Sequence, residues 1–262
     1  MKLKRIFAAV LAAAMLLSFA GCANKDTQGG SSEPAGEQTT EERTTEPQTN
    51  EDGSLVKPKN AVSVSDDVKI KTYSGTSLIE IGNRVMEPYG NAYKNMKAYA
   101  DALNRLKAEM PNTTAYCLMA PTAIEFYAPS KYNTGVSKSQ YEGMCYIYEQ
   151  LKNITPVNAY AEMAAHTDEY LYFRSDHHWT TLGAYYAYRT FAKVAGFTPV
   201  DKNTLRTGKL SPFLGLFYKD TKSTALSNDP DYVEYFIPPV NTTAIASDTD
   251  AAMSNSYSIK VI

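Results

Sequence analysis

The run FRSDHHWTTLGAYYAY, Phe173 to Tyr188, changes character in its middle. Its first half places Asp176, two of the three histidines of the chain (His177 and His178) and the one tryptophan, Trp179, at four successive positions. From Thr180 to Val194 the apolar residues Leu182, Tyr185, Tyr186, Tyr188, Phe191 and Val194 follow at helical steps, and Thr180 or Thr181 can cap the helix they predict. The carboxylate and the imidazoles therefore fall at, or just before, a helix N-terminus.

Such a cluster supports three chemistries. Asp176 can orient an imidazole that acts as general base toward a hydroxyl nucleophile, the acid–base part of a Ser-His-Asp system. Imidazole suits this work because it titrates near neutrality. His178, two residues from Asp176, can share a turn with it while Trp179 limits solvent access. In the second, Asp176, His177 and His178 bind a metal such as zinc. Adjacent histidines seldom both reach one ion, and a further ligand would have to come from the distant His166 or Glu169. In the third, Asp176 caps the helix and the histidines hydrogen-bond locally.

Working outward, Asn91 to Met110 carries Met96, Tyr99, Ala100, Leu103, Leu106 and Met110 at three- and four-residue steps before Pro111, which predicts an amphipathic helix with a stop. TAYCLMAPT reads as a buried strand ended by Pro121, Ser137 to Leu151 as a helix with Tyr141, Met144, Cys145 and Tyr148 on one side, and ITPVNAY as a strand ending near Asn158. This alternation points to a parallel sheet covered by helices, with APTAIEFYAPSKY and NAYAEM as loops near the ligand site. LSPFLGLF and DYVEYFIPPV read as extended or loop segments, and SYSIKVI as a strand. Cys117 and Cys145 fit two buried thiols better than a bridge.

The N-terminus supplies an address. Lys2, Lys4 and Arg5 precede an apolar run, Ile6 to Ala20, too short to span a membrane, so residues 1–21 read as a signal peptide. Cys22, directly after Ala20-Gly21, resembles the cysteine of a bacterial lipobox, although Phe19 stands where such motifs usually carry Leu. That resemblance implies lipid on Cys22 and a protein held outward on a bacterial cell membrane. Residues 22–60 are almost free of large apolar side chains and predict a disordered tether; residues 61–262 are long enough for one domain with its own core. A net charge of -2 without a basic cluster beyond the signal argues against nucleic acid as a partner. Twenty tyrosines suit either carbohydrate contacts or half-buried packing. There is no internal repeat, glycine-rich phosphate loop or HExxH, and no cofactor or metal is expected.

With YFR before it and TTLGAYYAY after it, the DHHW block resembles the motif of the DHHW protein family. It is also similar to the D-x-H-W signature of SGNH-hydrolase-like proteins that O-acetylate alginate and other cell-surface polysaccharides. IGNRVMEPYG, LMAPT and VNAY look like further blocks of the DHHW family. The resemblance implies a permuted SGNH-hydrolase-like α/β fold, a parallel sheet flanked by helices. It also implies acyl or acetyl transfer, or ester hydrolysis, on an envelope or extracellular carbohydrate. Asp176 and His178 would be acid and base, with His177 beside them and Trp179 and Arg174 toward the substrate. In the alginate-type relatives the position of His177 is not fixed as histidine, which favours His178 as the base.

Those relatives place the serine after the D-x-H-W block, in a GDS- or DS-like turn at a strand end. Here Ser211, Ser223, Ser227, Ser247, Ser254, Ser256 and Ser258 lie downstream, and none follows an apolar strand and an Asp; the DGS of Asp52 to Ser54 lies in the tether. SYSIKVI resembles the strand before such a serine. The fold is therefore expected to be incomplete at the C-terminus and to lack its nucleophile. The competing expectation is a non-catalytic module that binds glycan or protein through a tyrosine-rich face.

Overall fold

A computed structural model describes residues 57–90, 92–134, 138–239, 242–247 and 256–261, all within one unit, Arg43–Ile262. The expected signal segment, Cys22, Asp52 to Ser54 and Ser254 lie outside these residues, and only the backbone of Ser247, Ser256 and Ser258 is described.

A short antiparallel meander opens the domain: β1 (Ile70–Thr72), β2 (Ile79–Ile81) and β3 (Arg84–Met86). The β2–β3 turn is Gly82-Asn83, and Gly82 at φ 62° supplies the positive dihedral that a tight hairpin needs. Strand alternation then sorts the side chains. Ile79, Ile81 and Met86 enter the main core, while Leu78 and Val85 pack with Phe217 and Leu226 in a second cluster.

Helix α1 (Tyr93–Glu109) leads into β4 (Tyr116–Leu118), and two one-turn helices, α2 (Ala123–Tyr127) and α3 (Ser130–Thr134), precede α4 (Gln140–Gln150). Ser139 caps α4 by accepting the Glu142 N–H. β5 (Thr155–Val157) then pairs parallel with β4, Cys117 opposite Pro156, and α5 (Ala159–Ala164) follows. The expected strand–helix–strand unit is present, but it is the sole parallel pair among the described residues. Elsewhere β6 (Arg206–Phe213) pairs antiparallel with β7 (Asp231–Ile237), and β8 (Thr242–Ser247) with β9 (Ser256–Val261), so the architecture is a mixed α/β one of small sheets and helices. The expected near-site loops are helical where they carry AIEFY and AYAEMA, and they bury Ile124, Phe126, Tyr160 and Met163 in the core. Between β6 and β7 lie α7 (Leu216–Thr221) and α8 (Thr224–Asn228).

Tyrosine is used mainly as packing with a polar end. Tyr172, Tyr160 and Tyr186 are fully buried, and their hydroxyls donate to the Pro121 carbonyl, to Glu125 (3.0 Å) and to Glu169 (2.5 Å). Cys117 and Cys145 are free thiols. The chain is tied to the domain from Lys57, whose Nζ lies 2.8 Å from Glu125, and Asn60 donates to the Phe126 carbonyl.

Helix α6 (Thr181–Ala195) has the expected boundaries: Thr180 caps it by accepting the Gly183 N–H, and Gly196, at φ 83°, ends it. Gly183 lets the first turn of α6 lie against the backbone of Leu171, where a Cβ would collide with the Leu171 carbonyl oxygen. Since backbone cannot move aside as a side-chain end can, Gly183→Ala is expected to lower stability by about 1–3 kcal/mol, read by urea unfolding. Wild-type stability in that variant would show that the approach is not constrained.

Candidate active site

The DHHW stretch is a loop closed at its neck. Tyr172 and Trp179 form an antiparallel bridge, the Thr180 N–H donates to the Leu171 carbonyl (2.8 Å), and Thr180 Oγ1 donates to the Tyr170 carbonyl (2.6 Å). β3 lies alongside: the Val85 N–H donates to the Arg174 carbonyl, and Arg84 Nη1 donates to the carbonyls of Tyr172 and Phe173. The Arg84 guanidinium also sits over the Tyr127 ring at 4.2 Å, and burial pushes its pKa down.

From below, the loop stands on Asp231, the first residue of β7, which is 2% exposed. Its Oδ2 accepts the N–H groups of Arg174 (3.0 Å) and Ser175 (2.7 Å) and the Ser175 hydroxyl (2.5 Å); its Oδ1 accepts Arg174 Nε (3.0 Å) and the Tyr170 hydroxyl. Burial alone would raise the Asp231 pKa, but these donors outweigh it and hold the carboxyl below its ordinary value. Arg174, expected to face the substrate, donates through all three guanidinium nitrogens to the Asp229–Asp231 turn.

At the tip the two histidines are not equivalent. His178 Nδ1 lies 2.6 Å from Asp176 Oδ1, which also accepts the His178 backbone N–H. His177 Nδ1 is 3.6 Å from the same oxygen, beyond a good hydrogen bond, and its ring lies 3.9 Å from that of His178. The other oxygen of Asp176 accepts the Leu216 N–H at 2.9 Å. Burial works to raise the Asp176 pKa, while the Leu216 N–H, the His178 N–H and the His178 ring lower it and prevail, so the carboxylate stays ionised beside the imidazole. Gly215 makes this fit possible, since a Cβ there would collide with the Asp176 side chain.

The His178 side chain is 66% exposed, and its Nε2 has no hydrogen-bond partner among the described residues. An imidazole with Nδ1 on a carboxylate and Nε2 open can accept a proton from a hydroxyl placed against Nε2. No described serine hydroxyl bonds either imidazole; Ser223 caps α8, and Ser175 is committed to Asp231. Trp179 is partly buried against the main core. One ligand atom each from Asp176, His177 and His178 lies within 4.8 Å of the others, so these three could hold a metal. His166 is occupied elsewhere, stacked on Tyr186 at 3.8 Å and bonded to Glu169 at 2.9 Å. Capping of α6 falls to Thr180 rather than Asp176. Sequence reasoning missed Asp231, Ser175, Gly215 and Leu216. The Asn-Asp-Pro-Asp turn before β7 was the one local hint, and it marks a turn without saying what the turn supports.

The model of the family described as DHHW protein matches residues 47–259, and the chain belongs to that family. A crystal structure of a DHHW family protein from Eubacterium siraeum superposes with a TM-score of 0.61 at 30% identity, covering 69% of this chain and 59% of that one. The chain thus spans 59% of the length of that relative. Bacillus cereus PatB1, solved with a sulfonyl adduct, shares the fold with a TM-score of 0.53 at 15% identity, covering 73% of this chain and 64% of that one. The O-acetyltransferase domain of Pseudomonas putida AlgJ gives a TM-score of 0.42 at 14% identity, covering 66% of each chain. No curated protein sequence matches.

Asp176 and Asp231 both have folded-state pKa values below the ordinary carboxylate value. Their contribution to stability is complete above an unfolded pKa of about 3.9 and is lost as pH falls through the folded values. Asp231→Ala, which strands Arg174 and its neighbouring donors, is expected to cost about 3–5 kcal/mol at pH 7 and less at about pH 3, below the unfolded pKa. Urea unfolding at the two pH values measures the difference, and an equal loss at both would contradict the anchoring role.

Proposed function

We propose that this chain carries the acid–base half of an acyl-transfer or ester-hydrolysis site that acts on a cell-envelope or extracellular carbohydrate. Asp176 orients His178 and stabilises the imidazolium; His178 Nε2 takes the proton of an attacking hydroxyl and returns it to the leaving group. The observation that carries this reading is the 2.6 Å contact between Asp176 Oδ1 and His178 Nδ1, with the second carboxylate oxygen separately held by Leu216. Residues 1–21 export the chain, lipid on Cys22 holds it at the outer face of a bacterial membrane, and the tether gives it reach. Among the described residues, no helix is long and apolar enough to cross a membrane.

The serine nucleophile, in this proposal, comes from outside the described residues, on a strand that extends the parallel pair. Support lies at β4, which pairs with β5 alone among the described residues; a cleft of about 200 Å3 between β4 and α1 is lined by Tyr99, Leu103, Leu106, Met110, Tyr116 and Leu118. Tyr99 and Leu106 of α1 are about half exposed there, although their spacing predicts a covered face.

A second reading, a module that binds glycan without turnover, draws on the outer face of β6–β7. The Tyr235 ring lies over Gly208, and Leu210 beside it is 62% exposed.

Fluorophosphonate labelling of the full chain, beside His178→Ala, separates the readings. His178-dependent labelling would identify a serine within the chain. In any form that turns over p-nitrophenyl acetate, His178→Ala is expected to lower the rate at least about 100-fold and His177→Ala far less. Unchanged turnover in His178→Ala would remove His178 from the reaction. A chelator is expected to leave the rate alone, and a loss restored by zinc would favour the metal. Glycan binding that survives His178→Ala and disappears in Tyr235→Ala, without labelling, would favour the module.

A further inference from the structure

We propose that Ser175 and Asp231 are positioning residues that fix Asp176 and, through it, the tautomer of His178. The inference rests on reading Asp176 and His178 as an acid–base pair, but it concerns the ground-state geometry of that pair and not its turnover.

The Ser175 hydroxyl has one proton to give, and an ionised carboxylate can only accept. At 2.5 Å from Asp231 Oδ2, that proton must point at Asp231, which leaves the Ser175 oxygen to accept from elsewhere. What it accepts is the Gly215 N–H, at 3.0 Å. The next N–H along the chain, that of Leu216, donates to Asp176 Oδ2 at 2.9 Å. The Ser175 carbonyl in turn accepts the Tyr218 N–H at 3.3 Å. One buried carboxylate therefore sets two chain segments at once. It holds residues 174 and 175, which deliver Asp176, and through the Ser175 hydroxyl it holds 215 and 216, which take the second Asp176 oxygen. With Oδ2 pinned and Gly215 closing the space beside it, Oδ1 is left facing the His178 backbone N–H and Nδ1. A carboxylate so placed keeps the neutral imidazole protonated at Nδ1 and leaves the Nε2 lone pair open.

Among the described residues the loop also meets this segment through the Tyr218 N–H on the Ser175 carbonyl and the His177 ring 6.0 Å from that of Phe217, and neither of these fixes the Asp176 carboxylate. Arg84 and Val85 bind the carbonyls of Tyr172, Phe173 and Arg174, before the acid, and the Tyr172–Trp179 bridge closes the neck. These contacts shape the loop without touching residues 215 and 216.

The experiment is 15N NMR of the imidazoles in the full chain, at a pH where they are neutral, comparing wild type with Ser175→Ala, Asp231→Asn and Asp231→Glu. His166, which stacks on Tyr186 away from this network, serves as the internal reference. The wild type is expected to show His178 as the Nδ1–H tautomer with a protected, far-downfield Nδ1 proton. Ser175→Ala and Asp231→Asn should lose that signal and shift toward the Nε2–H tautomer, with His166 unchanged, and Asp231→Glu should restore part of it. If Ser175→Ala is folded and keeps the wild-type His178 signature, the pair is merely structural and the proposal fails. Should Asp231→Asn not fold, Ser175→Ala carries the test by itself. A chain that shows the expected tautomer changes yet never reacts with an acyl probe would count against the catalytic reading and leave this one standing.

Discussion

A buried carboxylate that stays ionised must gather donors, and Asp231 gathers them from residues that are far away in sequence. Its two oxygens collect the Arg174 and Ser175 amides, the Ser175 and Tyr170 hydroxyls and the Arg174 guanidinium. Removing an ion from water is costly, and each of these groups offsets part of that cost. The DHHW loop is thus shaped by an electrostatic demand made at the start of β7, and the pair at its tip inherits its geometry from that demand. Arg84 acts on the same loop with opposite sign: a cation satisfied by carbonyls and an aromatic face, holding the strand that leads to Asp176.

Where a pattern is local, the sequence was legible. Helical periodicity located α1, α4 and α6; short apolar runs located β4 and β5; and a hydroxyl before an apolar repeat narrowed the cap of α6 to Thr180 or Thr181, of which Thr180 serves. The meander β1–β3 is hard to see in the sequence, although Gly82-Asn83 between alternating apolar positions is a hairpin signal. Each strand is only three residues long, too short for the alternation to stand out. Helices α2 and α5 look like loops in the sequence for a related reason. A turn or two of helix has no periodicity to detect, and these segments owe their form to packing of Ile124, Phe126, Tyr160 and Met163. The exposed face of α1 is the converse case, since spacing says which residues share a side and not whether anything covers it.

The site divides along the same line. Asp176, His177, His178 and Trp179 announce themselves by being adjacent, and distance alone separates the two histidines, 2.6 Å against 3.6 Å from one oxygen. Gly215 and Asp231 lie 39 and 55 positions further on and look ordinary there. Their roles are steric and ionic complements to Asp176 and Ser175, and a complement acquires meaning only when the chain brings the partners together.

The β6–β7 ribbon has one further property. Phe213 lies opposite Asp231 at one end of it, beyond an irregularity in register after Leu210, and each of these residues leads directly to one side of the Asp176 site. Everything from Leu214 to Pro230 is an excursion that leaves and re-enters the ribbon at that end. The ribbon is thus a pair of tongs: one strand leads to Leu216, whose N–H takes Asp176 itself, and the other begins with Asp231, which grips Arg174 and Ser175 just before it. Its irregular register, three steps from Leu210 to Phe213 against two from Val233 to Asp231, places the odd residue immediately before the grip, so the alignment of the two jaws is set where the ribbon is least regular.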